Sequence, residues 1–554
     1  MKNKKIWNRI AATFLAGCMV MGCLVGCGST ENKESKESEV KASASESAAS
    51  ESVKESEIVE QEDPAELTYY GELLSGSASL TNLADMEIMQ IADEKCNTKV
   101  TYVNPAVGTE TESFSLRLAT GEFEDIVEHS WSSYSGGPGQ AIEDGVIIDL
   151  APYLEQGYAP NYKKLLDEKP DIAKQVTTDD GKIFAFACIG DASVNVTQGY
   201  FVRQDFLDAC GLEAPTTIAE WETMLSKFKN ELGVEAPLTI ITDNLIGANA
   251  HLAGAFGVYS GYYLRDGKVH YGFVEESYKD YIETMARWYK DGLIDQNVFG
   301  NDSKAVNANL LNDKSAVSLG YIGGGIGTLT KNAQANENAN PNFKLSGLQF
   351  PVLNEGDEPE FMKRSWDART QNMAAISTSC EDIEAAMRYL DFWYSDEGHM
   401  LKNFGVEDLS YKLVDGEPIY TDLIMNNPDG LDISDALGRY TRAASPSVGI
   451  IDRRYYEQYY QLEEQVEAMY TWNEYADNAL KVLMPSVSQT PDEAEEISVL
   501  ESSFSTYIQE ELTKFILGNR DMSEYDDFIK TVKGMGVDRA IELKQAAYDR
   551  YLAR

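Results

Sequence analysis

The sequence contains few of the residues that metal and thiol chemistry require. Its 554 residues include four histidines and seven cysteines, and no pair of cysteines has the CxxC spacing of a zinc or redox site. The segment TTDDGK does not complete a calcium loop, because Val176 and Thr178 break the required pattern of acidic residues. The motifs GxSxG and HExxH are also absent from the sequence. We therefore expect no catalytic residue, no metal site and no cofactor.

Positive charge is also scarce. Lys and Arg number 47 against 91 Asp and Glu, which gives a formal net charge of −44. A protein with this charge is not expected to attract nucleic acid or anionic lipid over a distance. After residue 25, no apolar run approaches the roughly 18 residues that a membrane-spanning helix needs. The sequence thus predicts no nucleic-acid partner and no transmembrane helix in the body of the chain.

The N-terminus has the features of a secretory signal. Basic residues precede an apolar stretch over residues 10–25, which is too short to cross a bilayer comfortably. The stretch ends in Leu-Val-Gly-Cys, which resembles the lipobox of bacterial lipoproteins, where the cysteine receives a diacylglyceryl group. This resemblance implies a signal peptide over residues 1–26 and an acyl anchor, with palmitate among its chains, on Cys27. An ordinary signal peptide or an uncleaved anchor is the alternative, and Cys23 fits the motif less well.

Residues 27–65 combine this anchor with a stretch of nearly uniform composition. Glu, Ser, Lys and Ala dominate in KESKESEVKASASESAASESVKESE, and hydrophobic periodicity is absent. Such a segment cannot bury enough apolar surface to offset the entropy of ordering. We therefore predict a disordered tether, with a solvated charged helix as the alternative. An anchor, a tether and a folded body together favour the outer face of a single-membrane, thick-walled bacterium.

The remaining chain, of about 490 residues, is longer than one small core and suggests at least two lobes. LTYYGELL and TKVTYVNPA have the composition of strands, and the segment between them has the apolar spacing of a helix. This alternation favours an α/β fold with a largely parallel sheet. EDIVEHSW is a further predicted strand, and it ends at Trp131. Because such sheets bind ligands beyond the carboxyl ends of their strands, Trp131 is placed at the expected binding edge.

Several segments resemble, in order, those of bacterial extracellular solute-binding proteins, the ligand-catching subunits of ABC importers. The first are DGKIFAFACIGDA and GYFVRQDFLDACGLEAPTTIAEWETMLSKFK, and MARWYKDGLIDQNVF, DKSAVSLGYIGG and FKLSGLQFPVLNEGDE follow. The C-terminal IQEELTKFILGNRDMSEYDDFIK is similar to the large lipoprotein branch that serves oligosaccharide importers. No single motif decides the comparison, but their shared order covers nearly all of the chain after residue 66.

This resemblance implies a two-lobe, periplasmic-binding-protein-like fold of type II, in which hinge strands join two α/β lobes around a ligand cleft. The first lobe is expected over residues 66–187, with a return segment at about 373–440, and the second over 188–372. A helical C-terminal region, 441–554, is expected to pack across both. The resemblance also implies a monomer that captures a carbohydrate, a neutral oligosaccharide, for an ABC permease.

Three tryptophans are candidates for stacking on a sugar ring. Trp131 ends a predicted strand and precedes a Gly/Ser-rich turn, at a position where the family commonly places a binding residue. Trp366 lies in a polar loop with Asp367 and Arg369, and this arginine is a further candidate. Trp472 lies on a predicted helix. Packing in the protein core is the alternative role for each tryptophan.

Three further residues complete the predicted binding site. Asp191 occupies a position that resembles an acidic sugar contact in relatives, and Arg203 matches a recurrent arginine of the family. Tyr321 stands before a glycine-rich turn, where relatives carry aromatic residues. A turn role for Asp191 and an ion pair between Arg203 and Asp205 are the alternatives.

An enzyme is the competing functional class, since a secreted protein could hydrolyse glycans with two carboxylates. With 91 acidic residues in the chain, no pair of carboxylates stands out. The ordered resemblance therefore favours binding without chemistry. A peptide or another polar solute is the alternative ligand, and a wall-linked adhesion or signalling lipoprotein is a third class.

Overall fold

The computed structural model describes residues 63–73, 80–106, 108–337, 339–362, 364–365, 367–445 and 447–554. The predicted signal peptide, the lipidation residue Cys27 and nearly all of the predicted tether lie outside these ranges, as does Trp366. Within the described ranges, no helix combines the length and the apolar character needed to cross a membrane.

The described part of the chain contains thirteen strands in four sheets. Their bounds are β1 (Ala65–Tyr70), β2 (Thr98–Val103), β3 (Ile126–His129), β4 (Phe186–Ile189), β5 (Gln198–Arg203), β6 (Tyr262–Arg265), β7 (Lys268–Tyr271), β8 (Val317–Tyr321), β9 (Leu345–Gly347), β10 (Ala368–Ile376), β11 (Tyr411–Val414), β12 (Glu417–Tyr420) and β13 (Gly449–Ile450).

The same residues form twenty-one α-helices. Their bounds are α1 (Glu87–Cys96), α2 (Glu110–Thr120), α3 (Gly137–Glu143), α4 (Ala151–Glu155), α5 (Pro160–Glu168), α6 (Pro170–Gln175), α7 (Gln204–Cys210), α8 (Ile218–Leu232), α9 (Thr242–Ile246), α10 (Glu276–Lys290), α11 (Ser303–Leu311), α12 (Thr328–Ala335), α13 (Ile383–Phe392), α14 (Asp396–Phe404), α15 (Asp422–Met425), α16 (Ile433–Tyr440), α17 (Arg453–Tyr459), α18 (Glu463–Asn473), α19 (Pro491–Ile516), α20 (Tyr525–Gly534) and α21 (Val537–Ala553).

The first lobe is built on a six-stranded sheet with the order β13-β4-β10-β3-β1-β2. β1 is parallel to β2 and β3, and β13 is parallel to β4, whereas β10 is antiparallel to both of its neighbours. All four residues of β4 are buried, as expected for a strand covered on both faces. Because β10 runs opposite to the parallel strands, its amino end and their carboxyl ends meet at one edge of the sheet. β13 lies inside residues 441–554, the region that the sequence predicted as helical.

The second lobe contains the antiparallel sheet β8-β5-β9. A capping box opens α8, because Thr217 Oγ1 accepts from the Glu220 amide and the Glu220 carboxylate accepts from the Thr217 amide. The buried faces of α8 and α10 contribute Trp221 and Trp288 to the core, and α18 adds Trp472. The C-terminal helices thus share one core with this sheet.

Three connecting segments run side by side between the lobes. The Gly190 amide donates to the Asp367 carbonyl at 2.7 Å, and the Ile451 amide donates to the Ile189 carbonyl at 2.8 Å. Asn195 Nδ2 donates to the Asp367 carboxylate at 2.7 Å. These bonds join three segments: one follows β4, one precedes β10 and one precedes α17. All three therefore cross between the lobes at one place.

The C-terminal helix makes a second contact between the lobes. Arg550 of α21 and Arg554, which directly follows this helix, both bind the carboxylate of Asp179, at 2.8 and 2.7 Å. Arg554 also donates to the Lys174 carbonyl at 3.0 Å. Because Asp179 lies in the hairpin before β4, these bonds connect α21 to the first lobe.

Candidate ligand-binding site

Asp191 and Arg369 lie where the connecting segments leave the edge of the first sheet. Asp191 caps a short helical turn, since its Oδ1 accepts from the Ser193 amide at 2.9 Å. Arg369 Nη2 donates to Asn195 Oδ1 at 2.8 Å. Its guanidinium packs on Gly190, where a Cβ would clash with it. Both predicted side chains therefore have fixed positions beside the crossing between the lobes.

A bulge in β10 helps to position Arg369. The register of β10 against β4 shifts between Arg369 and Ala374, and Asn372 within this stretch has a φ of 53°. Bulges re-aim side chains and are common beside binding sites. The bulge also brings Asn372 to Glu72 after β1, a carboxyl whose pKa is raised because it is half-buried and close to Glu110 and Glu128.

Tyr456 of α17 lies near these two residues. Burial raises the pKa of Tyr456, while the nearby charge of Arg369 lowers it and that of Asp191 raises it, which places the phenol close to both. The Tyr456 ring lies 4.4 Å from the Tyr455 ring and 5.8 Å from the Tyr460 ring, between centroids. A cluster of packed aromatic rings therefore adjoins the predicted polar pair.

Tyr321 lies at the end of a second-lobe strand, next to a turn that reaches α17. It ends β8 opposite Gln198, and its side chain is 53% exposed. The glycine-rich turn that follows approaches α17 closely, since a Cβ at Gly323 would lie 3.3 Å from the Tyr459 hydroxyl. We call Asp191, Tyr321, Arg369, Tyr456 and Tyr459 the hinge cluster. It joins residues of both lobes and of the helix that crosses between them.

The comparisons with known proteins agree with this architecture. The family model described as bacterial extracellular solute-binding protein matches residues 78–400.

The chain belongs to this family.

Two curated relatives and one solved structure illustrate how this solute-binding protein compares with others. The fructooligosaccharide ABC transporter substrate-binding protein FusA of Streptococcus pneumoniae is 24% identical over 468 residues, which cover 80% of this chain and 83% of the relative. Lipoprotein LipO of Bacillus subtilis is 21% identical over 451 residues, which cover 79% and 83%. The HMO-binding solute-binding protein of Bifidobacterium longum infantis has a TM-score of 0.69 at 19% identity, with 88% and 99% covered. The predicted two-lobe α/β fold is thereby confirmed.

Trp131 does not face the space between the lobes of this solute-binding protein. Its side chain is fully buried, and its Nε1 donates to the Met373 carbonyl at 3.0 Å. The indole packs edge-on against Phe114 and His129, with centroids 5.7 and 5.6 Å away. The expectation of a ligand-facing indole is therefore wrong, because β10 supplies a carbonyl that holds Trp131 in the core.

Trp472 and Arg203 are also structural residues. Trp472 is fully buried against Gly199, and its Nε1 donates to the Tyr200 carbonyl at 3.1 Å. Arg203 is fully buried and pairs with Asp205 at 2.7 Å and with Asp313. Both predictions of ligand contact are wrong, because each polar group is already satisfied inside the second lobe.

The tyrosines of α17 are the part of the hinge cluster that the sequence reasoning missed. The signal was present in RRYYEQYY, where four tyrosines fall within six residues. Positions 455, 456, 459 and 460 share one side of a helix, so this run places four adjacent aromatic rings on one face. Its density of aromatic rings was the available sign of a binding surface.

The described residues offer no alternative metal or thiol chemistry. None of their His, Cys, Asp and Glu side chains form a group of three or more that could hold a metal ion. The thiols of Cys96 and Cys380 are free, and burial raises the pKa of each to about 12. These cysteines therefore act as small core residues.

Proposed function

We propose that this solute-binding protein captures an oligosaccharide, specifically a neutral one, in the hinge cluster and delivers it to an ABC importer. The observation that carries the proposal is the approach of α17 to both lobes: Tyr456 lies near Asp191 and Arg369, and Tyr459 faces the turn that follows Tyr321. Relatives named for binding fructooligosaccharides and HMO support the ligand class. Binding, without chemical conversion of the ligand, is the proposed activity.

The chemistry of the hinge cluster suits a sugar ring, which presents a C–H face and a rim of hydroxyls. The half-exposed ring of Tyr321 offers a surface on which the C–H face can stack. Arg369 supplies donors and Asp191 supplies acceptors for the hydroxyl rim. Their bonds to Asn195 and Ser193 hold both groups in orientation before the ligand arrives, which lowers the entropic cost of binding.

Closure of the lobes is the proposed mechanism of capture. The first lobe is proposed over residues 66–187 with its return segment at about 373–440, the second over 188–372, and the C-terminal region 441–554 packs across them. Ligand held by both lobes stabilises the closed form by its differential affinity for that form. The closed protein, as a monomer, is then the form that the permease recognises.

A lipid anchor on Cys27 is proposed to hold the protein at the outer face of the cell membrane. A doubly acylated cysteine supplies enough buried CH₂ groups for stable attachment. A Cys27→Ser variant should therefore appear in the culture medium. Retention of this variant in the membrane fraction would contradict the anchor.

Calorimetric titration of a Tyr321→Ala variant with a panel of neutral oligosaccharides tests the proposed site. Loss of a stacking ring should weaken binding by about 30-fold or more. Tyr289→Ala, which removes a partly buried tyrosine of α10, is the matched control and should retain the wild-type affinity. Equal affinities of Tyr321→Ala and wild type would rule out the hinge cluster, and chromatography of the recovered ligand should show no cleavage.

A further inference from the structure

Helix α14 holds the connecting segment that precedes α17. This segment, residues 441–452, contains β13, which is parallel to β4 of the first sheet. The side chain of Asn403 in α14 is fully buried and bonds to the segment twice. Its Nδ2 donates to the Ile450 carbonyl at 2.8 Å, and its Oδ1 accepts from the Asp452 amide at 2.9 Å. The segment is therefore bonded to both β4 and α14, and α14 itself packs into the first-lobe core through Leu401.

Lys402, the neighbour of Asn403, is also fully buried. Its Nζ donates to the carbonyls of Arg442 and Ser445 at 3.4 Å each and to the Ser447 carbonyl at 3.1 Å. It also donates to Ser447 Oγ at 3.2 Å. An ammonium group has three donors and no acceptor. These four oxygens, all from the connecting segment, therefore form a cage of acceptors around one ammonium group.

Burying this ammonium group is costly. Lysine is rarely fully buried unless it is paired, and none of the four acceptors that Lys402 bonds is a carboxylate. The buried carboxylate of Glu128 pairs with Arg442 instead, at 3.5 Å. Replacing a buried charge by an apolar side chain is often neutral for stability. A lysine in such a cage is thus better suited to fixing one arrangement of the segment than to adding stability.

The attachment to the first lobe continues into α17. Asp452 caps this helix by accepting from the Arg454 amide at 2.8 Å, and its carboxylate lies 2.9 Å from His399 Nε2 of α14. In the last turn of α17, Gln458 Oε1 accepts from the Tyr420 amide of β12 at 2.9 Å. α17 is therefore bonded to α14 and to the hairpin β11-β12.

The next helix, α18, is bonded to the other lobe. Its Gln465 Nε2 donates to the Ile322 carbonyl at 3.0 Å, just after β8, and its Trp472 lies in the second-lobe core. Because α17 is attached to one lobe and α18 to the other, the chain changes lobe at residues 460–462, between the two helices.

We propose that Lys402 is a positioning residue for ligand binding, which with Asn403 clamps the connecting segment, and through it α17, to the first lobe. Tyr456 and Tyr459 then enter the hinge cluster as part of the first lobe, in one arrangement that exists before the ligand arrives. Groups that are fixed in advance lose less entropy on binding. Lys402, being fully buried, acts only through α17. The inference rests on the proposed function, because it assigns the two tyrosines to ligand binding.

The charge of Lys402 gives the clamp a pH dependence. Burial lowers the pKa of Lys402 from its ordinary value of 10.5 to about 8; the charge of Arg442 also lowers it, whereas Cys188 and Glu128 raise it. When the clamp opens, water restores the ordinary pKa, so the open form binds the proton more tightly than the closed form. Raising the pH from about 8 towards 10.5 should therefore favour the closed clamp.

Hydrogen–deuterium exchange of the purified full-length protein tests the clamp without a ligand. Lys402→Met keeps the side-chain length but removes every donor, so exchange in peptides from residues 441–460 should rise by roughly tenfold or more while that of α18 stays unchanged. The midpoint of thermal unfolding should stay close to that of the wild type, because the costly buried charge is lost together with its bonds. Exchange corrected for its intrinsic rate should fall above pH 8 in the wild type, but not in this variant.

Two further variants complete the exchange series. Ser447→Ala removes one acceptor of the cage and should change exchange in the same direction as Lys402→Met, but more weakly. Lys412→Met, at an exposed position of β11, is the matched control and should change nothing. Unchanged exchange in residues 441–460 of Lys402→Met, an equal rise along the whole chain, or the same pH profile in wild type and variant overturns the clamp.

Calorimetric titration with kestose, maltotriose and raffinose, three neutral oligosaccharides, measures the consequence for binding. Lys402→Met should weaken binding by roughly tenfold, and Lys412→Met should retain the wild-type affinity. Wild-type affinity in Lys402→Met overturns the positioning role even if exchange rises. Absence of binding to the wild type, or binding that is indifferent to Tyr321→Ala, counts against the proposed function instead, and the exchange series then decides the clamp by itself.

Discussion

At the scale of single residues, the partner of each polar atom decides whether an aromatic or charged side chain is structural. Trp131, Trp472 and Arg203 all have sequence contexts suited to ligand contact, yet each is fully buried. Their polar atoms bond to Met373, to Tyr200 and to acidic side chains within the protein. A ligand would have to displace these bonds inside a core, which is costly.

Truncation of Trp131 should therefore destabilise the fold without removing a ligand contact. Trp131→Ala leaves a cavity beside Phe114 and an unpaired Met373 carbonyl, and we expect a loss of about 3–5 kcal/mol in the free energy of unfolding. Denaturant unfolding measures this loss. Oligosaccharide affinity of the folded variant should stay within a few-fold of wild type, and a specific loss of affinity at unchanged stability would contradict the core assignment.

At the scale of secondary-structure elements, α21 links the core of the second lobe to the first lobe. Its buried face packs into the second-lobe core through Val537 and Ala540, while Arg550 in its last turn and Arg554 just after it bind Asp179. Arg550 also forms a bidentate pair with Glu493 at the start of α19. Bidentate, partly buried pairs are stronger than exposed ones. The end of α21 is thus a specific bridge between the lobes.

Asp179→Asn should loosen this bridge. The substitution removes the charge from the acceptor of two guanidinium groups, and the loss in the free energy of unfolding should be about 1.5–3 kcal/mol, the range of hydrogen bonds to charged groups. Thermal unfolding and limited proteolysis near the C-terminus measure it. Asp180→Asn is the matched control, since Asp180 is half-exposed and pairs with Lys182, and exposed pairs contribute little. Equal effects of the two variants would show that the bridge carries no special stability.

At the scale of the whole molecule, the lobes are joined by three adjacent connecting segments and by the end of α21. Each lobe has its own core, one around the six-stranded sheet and one around the sheet β8-β5-β9. Separate cores on either side of a narrow crossing permit rigid-body motion of the lobes. The hinge cluster lies at this crossing, where ligand can contact both bodies.

Ligand should therefore contract the molecule. Small-angle scattering with a saturating oligosaccharide, identified by titration, should give a smaller radius of gyration than the free protein, because only the closed form contacts the ligand from both sides. Tyr321→Ala should require correspondingly more ligand to reach the same contraction. An unchanged radius of gyration at saturation would contradict closure, even if binding itself is measured.

The sequence by itself determined the α/β class and the two-lobe architecture, because strand and helix periodicities are local and the order of family segments is preserved along the chain. It also predicts Asp191, Tyr321 and Arg369 as ligand-binding residues, of which Asp191 follows β4, Tyr321 ends β8 and Arg369 lies at the start of β10. Tertiary structure alone decided the direction of Trp131, since its carbonyl partner lies 242 residues away. It likewise decided that Tyr456 lies near Arg369 and Asp191, because which face of a helix meets which strand end depends on contacts that no local pattern specifies.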